Sequence, residues 1–444
     1  MITKEKERAI NIRTEPPGPK AKEAIERSKQ HVSSVMYNIL PNFVQKSGRG
    51  SIIEDVDGNR YIDFLTGVGV NAIGHAHPRV VRAITEQAEI GIHFNEHVGI
   101  IENYTNFLAK VEETMPGSLK LGKGFLGNSG TEGVEGGTKL ARYYTAKLNG
   151  IAFDPSFHGR TLGSLAATTG AKGRIRMGGV LNGIIHAKYP YPYRMKNATE
   201  ESIGSIEEIL HNRSPPENTA FVLIETIAGE PGYIIPPKDF YPKLRKLCDD
   251  NNMLLICDEV QMGFGKTGKW WAFEHYGIEP DIVTFAKPAG GGLPLGGLIA
   301  KQHIADGWLS GHHASTFGGN PVATAAGMAT IDVIREEKLV ERAESVGAAT
   351  LKRLQEFDYE QIGEARGIGM LFAIELVKDR KTKEPAAKEA TEIKLAAFKK
   401  GLITSTTGPY ANVIRISPAL NIPQEMLDEG IDVLDQAFKE VLKK

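Results

Sequence analysis

The chain has 444 residues, 41% of them hydrophobic and 24% charged, which is enough for a large core in two or three domains. Its 53 Lys and Arg and 54 Asp and Glu leave a net charge of -1, which excludes the basic surface of a nucleic-acid-binding protein. Two cysteines exclude a disulfide framework, and no uncharged apolar stretch of about 18 residues could span a membrane. The N-terminus lacks the apolar core of a signal peptide, so we expect a soluble cytoplasmic protein.

The first predicted elements are an N-terminal arm with a helix, a β-hairpin and a second helix. Residues 50–64 contain two runs of alternating apolar residues on either side of Asp57-Gly58, a dipeptide typical of tight hairpin turns. Residues 77–90 have helical apolar spacing, with Pro78 near the first helical position.

Short apolar runs alternate with helical stretches in the middle of the chain. The runs are GIAF (150–153), FVLIE (221–225), MLLICDE (253–259) and DIVTFAK (281–287). This alternation, with helical stretches such as residues 239–252, predicts βαβ units and a mainly parallel sheet that is covered on both faces. Residues 320–357 predict a long helical stretch that leads into a smaller α+β domain.

Three of the predicted strands end in an ionisable side chain: Glu225, Asp258 and Lys287. Ligands bind outside the carboxyl ends of the strands in an open parallel sheet, so these side chains meet at one site if the strands are neighbours. A lysine and a carboxylate there suit pyridoxal 5'-phosphate (PLP) chemistry. The lysine amine forms a Schiff base with the cofactor and moves the substrate proton, and the carboxylate keeps the ring nitrogen protonated. Taken singly, these residues would be a turn-capping carboxylate and a surface lysine.

Residues 127–131 (GNSGT) predict a phosphate site, because they form a donor-rich turn that opens a helix. After the next strand, Phe157 can stack on the cofactor ring and Arg160 can bind a carboxylate. Thr316, in a loop ahead of another helix, can supply a further phosphate donor. In isolation, these features would be a helix cap, a core aromatic, a surface charge and a plain loop.

Two other patterns carry less weight. GFGKTG (263–268) matches G-x-G-x-x-G, but the residues after it are not typical of a crossover helix. A dinucleotide-binding oxidoreductase is therefore the weaker alternative from a different class. The pairs His75/His77 and His312/His313 have no Cys, Asp or Glu partners at zinc spacing, so we predict no metal site.

The order and spacing of these features resemble those of the class III aminotransferases, over about residues 35–435. The matching segments are DFLTGVGVNAIGHAHP, GNSGTEGVEGGTKLAR, FDPSFHGRTLG, CDEVQMGFGKTGKWWAFEHYGIEPDIVTFAKPAGGGLPLGG, STFGGNP and NVIRISPALNI. Together they are far more specific than any one of them. The intact Asp258 and Lys287 also argue against a cofactor-binding protein that has lost catalysis.

The resemblance implies an α/β fold of the aspartate-aminotransferase type (PLP fold type I). We expect a large domain with a mainly parallel seven-stranded sheet and a smaller α+β domain. Residues 1–74 would form the N-terminal arm and part of the small domain, residues 75–325 the large PLP-binding domain, and residues 326–444 the C-terminal small domain. A homodimer with its sites at the subunit interface is also implied, with no membrane or nucleic-acid partner.

The same resemblance implies roles for individual residues. Lys287 would be the Schiff-base lysine and Asp258 the partner of the ring nitrogen. Gln261 would hydrogen-bond the ring hydroxyl, and Phe157 would stack on the ring. The phosphate would be held by Ser129, Gly130 and Thr131, with Thr316 contributed by the other subunit.

The sequence departs from the family pattern at three positions that bear on the site. Pro288 stands where Gly or Ser is usual, Gly136 where many members have Asn, and Met262 where Ser or Thr is usual. Because proline disfavours a helical conformation in the residue before it, we expect Lys287 to be extended.

Three residues indicate the substrate through the resemblance. Arg415 and Arg160 match arginines that bind the two carboxylates of 2-oxoglutarate in members acting on ω-amino acids, and Glu230 matches a glutamate that pairs with the Arg415 equivalent. Such a pair quenches the arginine when the donor presents only an amine, and releases it for the keto acid. We therefore expect transamination between 2-oxoglutarate and an ω-amino acid such as 4-aminobutyrate or ornithine. An acetylornithine aminotransferase and a PLP-dependent amino acid racemase or epimerase remain the alternatives.

Overall fold

The computed structural model describes residues 9–170, 174–177 and 183–442. The strands in these ranges are β1 Gln45–Arg49, β2 Ile52–Asp55, β3 Arg60–Asp63, β4 Lys123–Gly127, β5 Asn149–Asp154, β6 Ile184–Lys188, β7 Thr219–Glu225, β8 Leu254–Asp258, β9 Ile282–Phe285, β10 Gly296–Ala300, β11 Ile362–Ile368, β12 Leu371–Asp379, β13 Glu384–Pro385, β14 Leu402–Ile403, β15 Ser405–Thr407 and β16 Val413–Ile416. The α-helices are Pro19–His31, Thr66–Gly69, Pro78–Ile90, Glu102–Thr114, Gly130–Thr145, Leu162–Ala167, Ala198–Asn212, Phe240–Asp250, Gln302–Ala305, Pro321–Glu336, Leu339–Gln355, Ala387–Lys399 and Gln424–Leu442, and the 3₁₀ helices are Gly117–Leu121, Ala272–Tyr276 and Lys287–Gly290.

A seven-stranded sheet with the order β4-β10-β9-β8-β7-β5-β6 forms the centre of the molecule. Only β10 runs against its two neighbours, and all other pairings among β5 to β9 are parallel. Every residue of β7 and β9 is buried, as expected for strands covered by helices on both faces. The predicted fold type, with its mainly parallel seven-stranded sheet, is confirmed.

Two smaller sheets complete the fold, with strand orders β1-β2-β3-β14 and β11-β12-β16-β15. The predicted hairpin at residues 50–64 is present as β2 and β3, which pair antiparallel with Ile53 opposite Tyr61. Strand β3 also pairs in parallel with β14, so strands β1 to β3 join a sheet with the C-terminal part of the chain. The domain boundaries at residues 74 and 325 stay predictions.

The helices follow the predicted pattern with one difference. The helix expected at residues 77–90 runs from Pro78 to Ile90, with the proline in its first turn. The stretch expected to be helical over 320–357 is two helices, because Lys338 adopts a left-handed conformation with φ of 51° and interrupts the helical hydrogen bonding. None of the described helices combines the length and the apolar character needed to cross a bilayer.

Two glycines within helices differ in the space around them, so replacing each by alanine tests the helix packing. A Cβ at Gly347 would collide with the backbone carbonyl of Gly369, whereas a Cβ at Gly204 would meet no atom within 4 Å. We expect Gly204→Ala to raise the free energy of unfolding by about 0.5–1 kcal/mol through helix propensity. Gly347→Ala should lower it by about 1–3 kcal/mol, because overpacking outweighs the same gain. Thermal denaturation of the two variants checks this, and a rise in melting temperature for both would contradict the described helix packing.

Candidate active site

A cavity of about 540 Å³ opens at the carboxyl ends of the central strands. The predicted site residues that line it are Ser129, Gly130, Thr131, Phe157, Arg160, Glu230, Asp258, Gln261 and Lys287. Two predicted residues do not line it. Arg415 lies behind Glu230, and Thr316 is exposed in the loop ahead of the helix Pro321–Glu336.

The convergence of the strand-end side chains follows from the parallel register. Glu225, the last residue of β7, is paired with Asp258, the last residue of β8, and Asp258 is paired with Thr284 of β9. Lys287 follows two residues after the end of β9. The three ionisable groups therefore reach the same edge of the sheet, as the sequence predicted.

Lys287 begins the short 3₁₀ helix after β9 with φ of 42°, so the expected extended conformation was wrong. The residue before a proline avoids the right-handed helical region, and here the turn moves Lys287 to the left-handed region instead. A left-handed non-glycine residue costs about 1–3 kcal/mol and requires support from its surroundings. Burial lowers the pKa of the Lys287 amine, against the opposing effect of the Glu230 carboxylate. The amine is thus more readily uncharged, as a nucleophile or proton acceptor must be.

Asp258 is buried and held by two hydrogen bonds. Its Oδ1 accepts the backbone N–H of Val260 at 3.0 Å, and its Oδ2 lies 2.7 Å from Nδ1 of His158. The His158 side chain is fully buried, and its Nε2 has no hydrogen-bond partner among the described residues. Sequence reasoning missed His158, although it stands directly after Phe157 in the quoted FHGR segment. The available signal was a histidine directly beside Phe157, the candidate ring contact.

Glu225 uses its carboxylate to join two loops of the site. One oxygen accepts the backbone N–H of Phe157 at 2.8 Å, and the other accepts that of Gly229 at 2.8 Å. Burial, reinforced by the neighbouring Asp258, raises the pKa of Glu225 to about 7. Glu225 therefore fixes the two loops that carry Phe157 and Glu230.

The predicted phosphate turn links β4 to the helix Gly130–Thr145. Ser129 is the N-cap of this helix, and its hydroxyl accepts the N–H of Glu132. A side chain at position 130 would place its Cβ 2.7 Å from Val260, so this close approach requires glycine. The first backbone N–H groups of a helix have no intrahelical acceptor, and those of Gly130 and Thr131 are therefore suited to an anion.

Several polar groups fit the predicted PLP cofactor. Gln261 Oε1 and His158 Nε2 are buried, and neither has a hydrogen-bond partner among the described residues. Buried polar atoms are nearly always satisfied, so such atoms around a cavity suit a polar ligand. The Gly130 helix end suits a phosphate, the Phe157 ring suits a planar ring, and the Lys287 amine suits an aldehyde. The residues present fit PLP.

Arg415 and Glu230 form an ion pair in the wall of the cavity. Arg415 Nη1 lies 2.6 Å from Glu230 Oε1, and Arg415 Nε donates to the hydroxyl of Ser405 at 3.1 Å. The side chain of Arg415 is 3% exposed and that of Glu230 is 35% exposed. Burial would raise the pKa of Glu230, but the Arg415 and Lys287 cations lower it below its usual value. The carboxylate is therefore charged and neutralises Arg415.

Arg160 is the second arginine of the site, and its surroundings differ from those of Arg415. It is exposed at the cavity and lies over the Phe157 ring, with 5.3 Å between the guanidinium carbon and the ring centroid. Within the described part of the chain it has no ion-pair partner. The site thus contains one quenched arginine and one that is open to a ligand carboxylate.

The chain is similar to a known protein family over most of its length and to several of its members. The family model described as aminotransferase class-III matches residues 32–438. A leucine/methionine racemase from Thermococcus litoralis is 36% identical over 94% of this chain and 96% of its own length. A 5-aminovalerate aminotransferase from Pseudomonas aeruginosa is 38% identical over 90% and 94%. A 4-aminobutyrate aminotransferase from Mycobacterium tuberculosis is 38% identical over 95% and 96%.

Solved structures with the same fold include transaminases. An (S)-enantioselective omega-transaminase from Thermomicrobium roseum has a TM-score of 0.88 and 29% identity, covering 95% of this chain and 99% of that one. An amine transaminase from an uncultivated Pseudomonas species, solved in the PLP-bound form, has a TM-score of 0.84 and 28% identity, covering 93% and 98%.

The hydrogen bond between His158 and Asp258 can be tested through cofactor affinity. Loss of a hydrogen bond to a charged group costs about 1.5–3 kcal/mol, so His158→Ala should weaken cofactor binding by about 10- to 100-fold. His275→Ala serves as the control, since His275 is half-buried and bonds Thr267 outside the cavity. Fluorescence titration of the apoenzyme with PLP measures both. Equal affinities for the two variants would contradict the assigned contact.

Proposed function

The chain belongs to the class-III aminotransferases, which are PLP-dependent enzymes, and on that premise we propose that it transfers the amino group of an ω-amino acid to 2-oxoglutarate. The donor is of the 4-aminobutyrate or ornithine kind. The observation that carries this proposal is the Glu230–Arg415 pair in the wall of the cavity, beside an open Arg160. The aminotransferases of 5-aminovalerate and 4-aminobutyrate among its relatives support an ω-amino donor.

The chain's own residues have the following proposed roles. Bound PLP supplies an electron sink for the substrate carbon. Lys287 would hold it covalently, Asp258 would keep its ring nitrogen protonated with support from His158, and the remaining contacts would come from Phe157, Gln261, Ser129, Gly130 and Thr131. Lys287 Nζ would also take the proton from the substrate carbon and return it during turnover. The lowered pKa of Lys287 suits this task, since an uncharged amine accepts a proton.

The paired arginine distinguishes the two substrates, because 2-oxoglutarate has two carboxylates and an ω-amino acid has one. With an ω-amine donor, Glu230 stays on Arg415, so no unpaired cation faces the apolar chain of the substrate, and Arg160 binds the distal carboxylate. With glutamate or 2-oxoglutarate, Glu230 leaves, and Arg415 binds the α-carboxylate through two parallel hydrogen bonds. The 35% exposure of the Glu230 side chain leaves room for this movement.

We also propose that the enzyme is a homodimer in which Thr316 contributes to the phosphate site of the partner subunit. Large apolar side chains are exposed at several positions, including Val35 at 82%, Val98 at 87%, Ile100 at 88% and Phe317 at 62%. Apolar surface of this kind is typical of an interface between subunits. Sedimentation equilibrium of the holoenzyme tests the dimer, and a monomer would contradict it.

Replacing Glu230 by Ala tests the donor class. Without the carboxylate, Arg415 is always charged and unpaired, so the half-reaction with 4-aminobutyrate or ornithine should slow at least tenfold relative to that with L-glutamate, or ~1.4 kcal/mol. Stopped-flow absorbance of the cofactor measures both half-reactions. Glu336→Ala, which breaks an exposed pair with Arg79, is the control. An unchanged ratio in Glu230→Ala would overturn the proposed switch.

Racemisation is the second candidate, because a leucine/methionine racemase is 36% identical over 94% of the chain. A racemase on this scaffold would use the same Lys287 and Asp258 but return the proton to the opposite face of the substrate carbon. Incubation with a pure L-amino acid and no keto acid distinguishes the two. Accumulation of the D-isomer favours the racemase, whereas turnover only with 2-oxoglutarate favours the transaminase. A donor panel that includes acetylornithine then identifies the amine.

A further inference from the structure

The loop that carries Glu230 is a tight hairpin. We call residues 228–234 the Glu230 loop. Its ends are joined by an antiparallel bridge between Ala228 and Ile234, with N–H to O=C distances of 3.2 and 3.1 Å. Inside the loop, Gly232 N–H donates to Gly229 O at 3.0 Å. These internal hydrogen bonds close the loop independently of its contacts with the rest of the chain.

Three outside groups fix the backbone of the Glu230 loop. Glu225 accepts the N–H of Gly229 at 2.8 Å, as described above. The carbonyl of Glu230 accepts the N–H of Gly408 at 3.0 Å and the hydroxyl of Thr407. None of these contacts involves the far side of the loop, by which we mean the backbone carbonyl groups of residues 232 and 233.

Arg366 fixes that far side. Its Nε donates to the carbonyl of Gly232 at 3.0 Å and to that of Tyr233 at 3.2 Å, and its Nη2 donates to Gly232 O at 2.7 Å. Gly232, whose carbonyl accepts from the guanidinium, has φ of 113°, a conformation that L side chains rarely adopt. A buried guanidinium that binds two consecutive carbonyls holds the loop more firmly than a neutral donor would.

Arg366 is itself held rigidly by the small sheet. Its Nη1 pairs with the buried Glu375 at 2.8 Å and with Glu364 at 2.5 Å, and its guanidinium lies over the Tyr191 ring at 5.2 Å. The Arg366 side chain is 8% exposed and that of Glu375 is 1% exposed. The cation is therefore a fixed point between β11 and β12 on one side and the Glu230 loop on the other.

We infer that Arg366 is a positioning residue for the Glu230–Arg415 switch, which acts by holding the Glu230 backbone still while the carboxylate moves. This inference rests on the proposed function. With the backbone fixed from three directions, the pair opens by rotation of the Glu230 side chain alone and closes again at the same 2.6 Å contact. Without Arg366, the loop would drift, and Glu230 would cover Arg415 less completely.

A purely structural role for Arg366, as one of the cations that neutralise Glu375, is the competing explanation. Arg194 provides the matched control, because it binds the same carboxylate through Nε at 2.9 Å and Nη2 at 2.6 Å. Among the described contacts of Arg194, none involves the Glu230 loop. Replacement of either arginine by Met removes one cation from Glu375, but only Arg366→Met releases the loop.

The experiment measures the two half-reactions of the holoenzyme by stopped-flow absorbance, with 4-aminobutyrate or ornithine and with L-glutamate. In Arg366→Met we expect kcat/KM for the ω-amine to fall about tenfold relative to that for glutamate, mainly through KM. Arg194→Met should leave the ratio unchanged within about twofold, the usual limit for independent sites. Arg366→Lys, which keeps the charge, should recover part of the loss. The double variant Glu230→Ala/Arg366→Met should have the same ratio as Glu230→Ala alone, since Arg366 acts through Glu230.

Three results would overturn the inference alone. If Glu230→Ala shifts the ratio but Arg366→Met does not, or if Arg194→Met shifts it equally, Arg366 has only a structural role. If the two substitutions are additive in the double variant, Arg366 does not act through Glu230. A wild-type enzyme that accepts no ω-amine, or a Glu230→Ala variant with the wild-type ratio, overturns the proposed function and the inference with it. Melting temperatures of all variants identify any that are partly unfolded at the assay temperature.

Discussion

The register between three parallel strands is the constraint on which the site depends. β7, β8 and β9 are paired so that Glu225 lies beside Asp258 and Asp258 beside Thr284, with Lys287 two residues beyond the end of β9. A shift of one residue in any of these strands would turn its terminal side chain to the other face of the sheet. The register is fixed because these strands are buried on both faces. A shift of one residue would change which apolar side chains pack against the helices on each face. The chemistry at the edge of the sheet is thus a consequence of how the core packs.

Charge balance at that edge explains the arrangement of the loops. Two acidic strand ends, one lysine and one buried arginine occupy a small volume, and both acidic groups and the arginine have specific partners. Asp258 is held by His158, Glu225 by two backbone amides, and Arg415 by Glu230. An unpaired charge in this environment would cost several kcal/mol, so the partners cannot be removed without consequence. The exception is Arg160, which is exposed and open to a ligand carboxylate.

The sequence predicted the elements better than the contacts between them. The apolar runs indicated the buried strands, and the Asp57-Gly58 dipeptide indicated the hairpin, since both signals are local. Strand ends and the glycine-rich turn also predicted Asp258, Lys287 and residues 129–131 of the cavity lining, whereas Gln261 and Glu230 were predicted only through the resemblance to the family. His158, the anchoring role of Glu225 and the contact of Arg366 with the Glu230 loop were missed because each depends on residues brought together by the tertiary fold, 68 to 134 positions apart in sequence. The predicted conformation of Lys287 was wrong. A residue before proline avoids the right-handed helical region, but this preference does not determine whether a turn requires the extended or the left-handed region.

Reduction of the holoenzyme with borohydride tests whether Lys287 carries the cofactor. Reduction makes the link between cofactor and lysine permanent, and peptide mass spectrometry then locates it. If Lys287 carries the cofactor, we expect one pyridoxyl group per chain on the peptide that contains Lys287, and none in Lys287→Ala. A pyridoxyl group on a different lysine, such as the fully buried Lys266, or no labelled peptide at all, would contradict it.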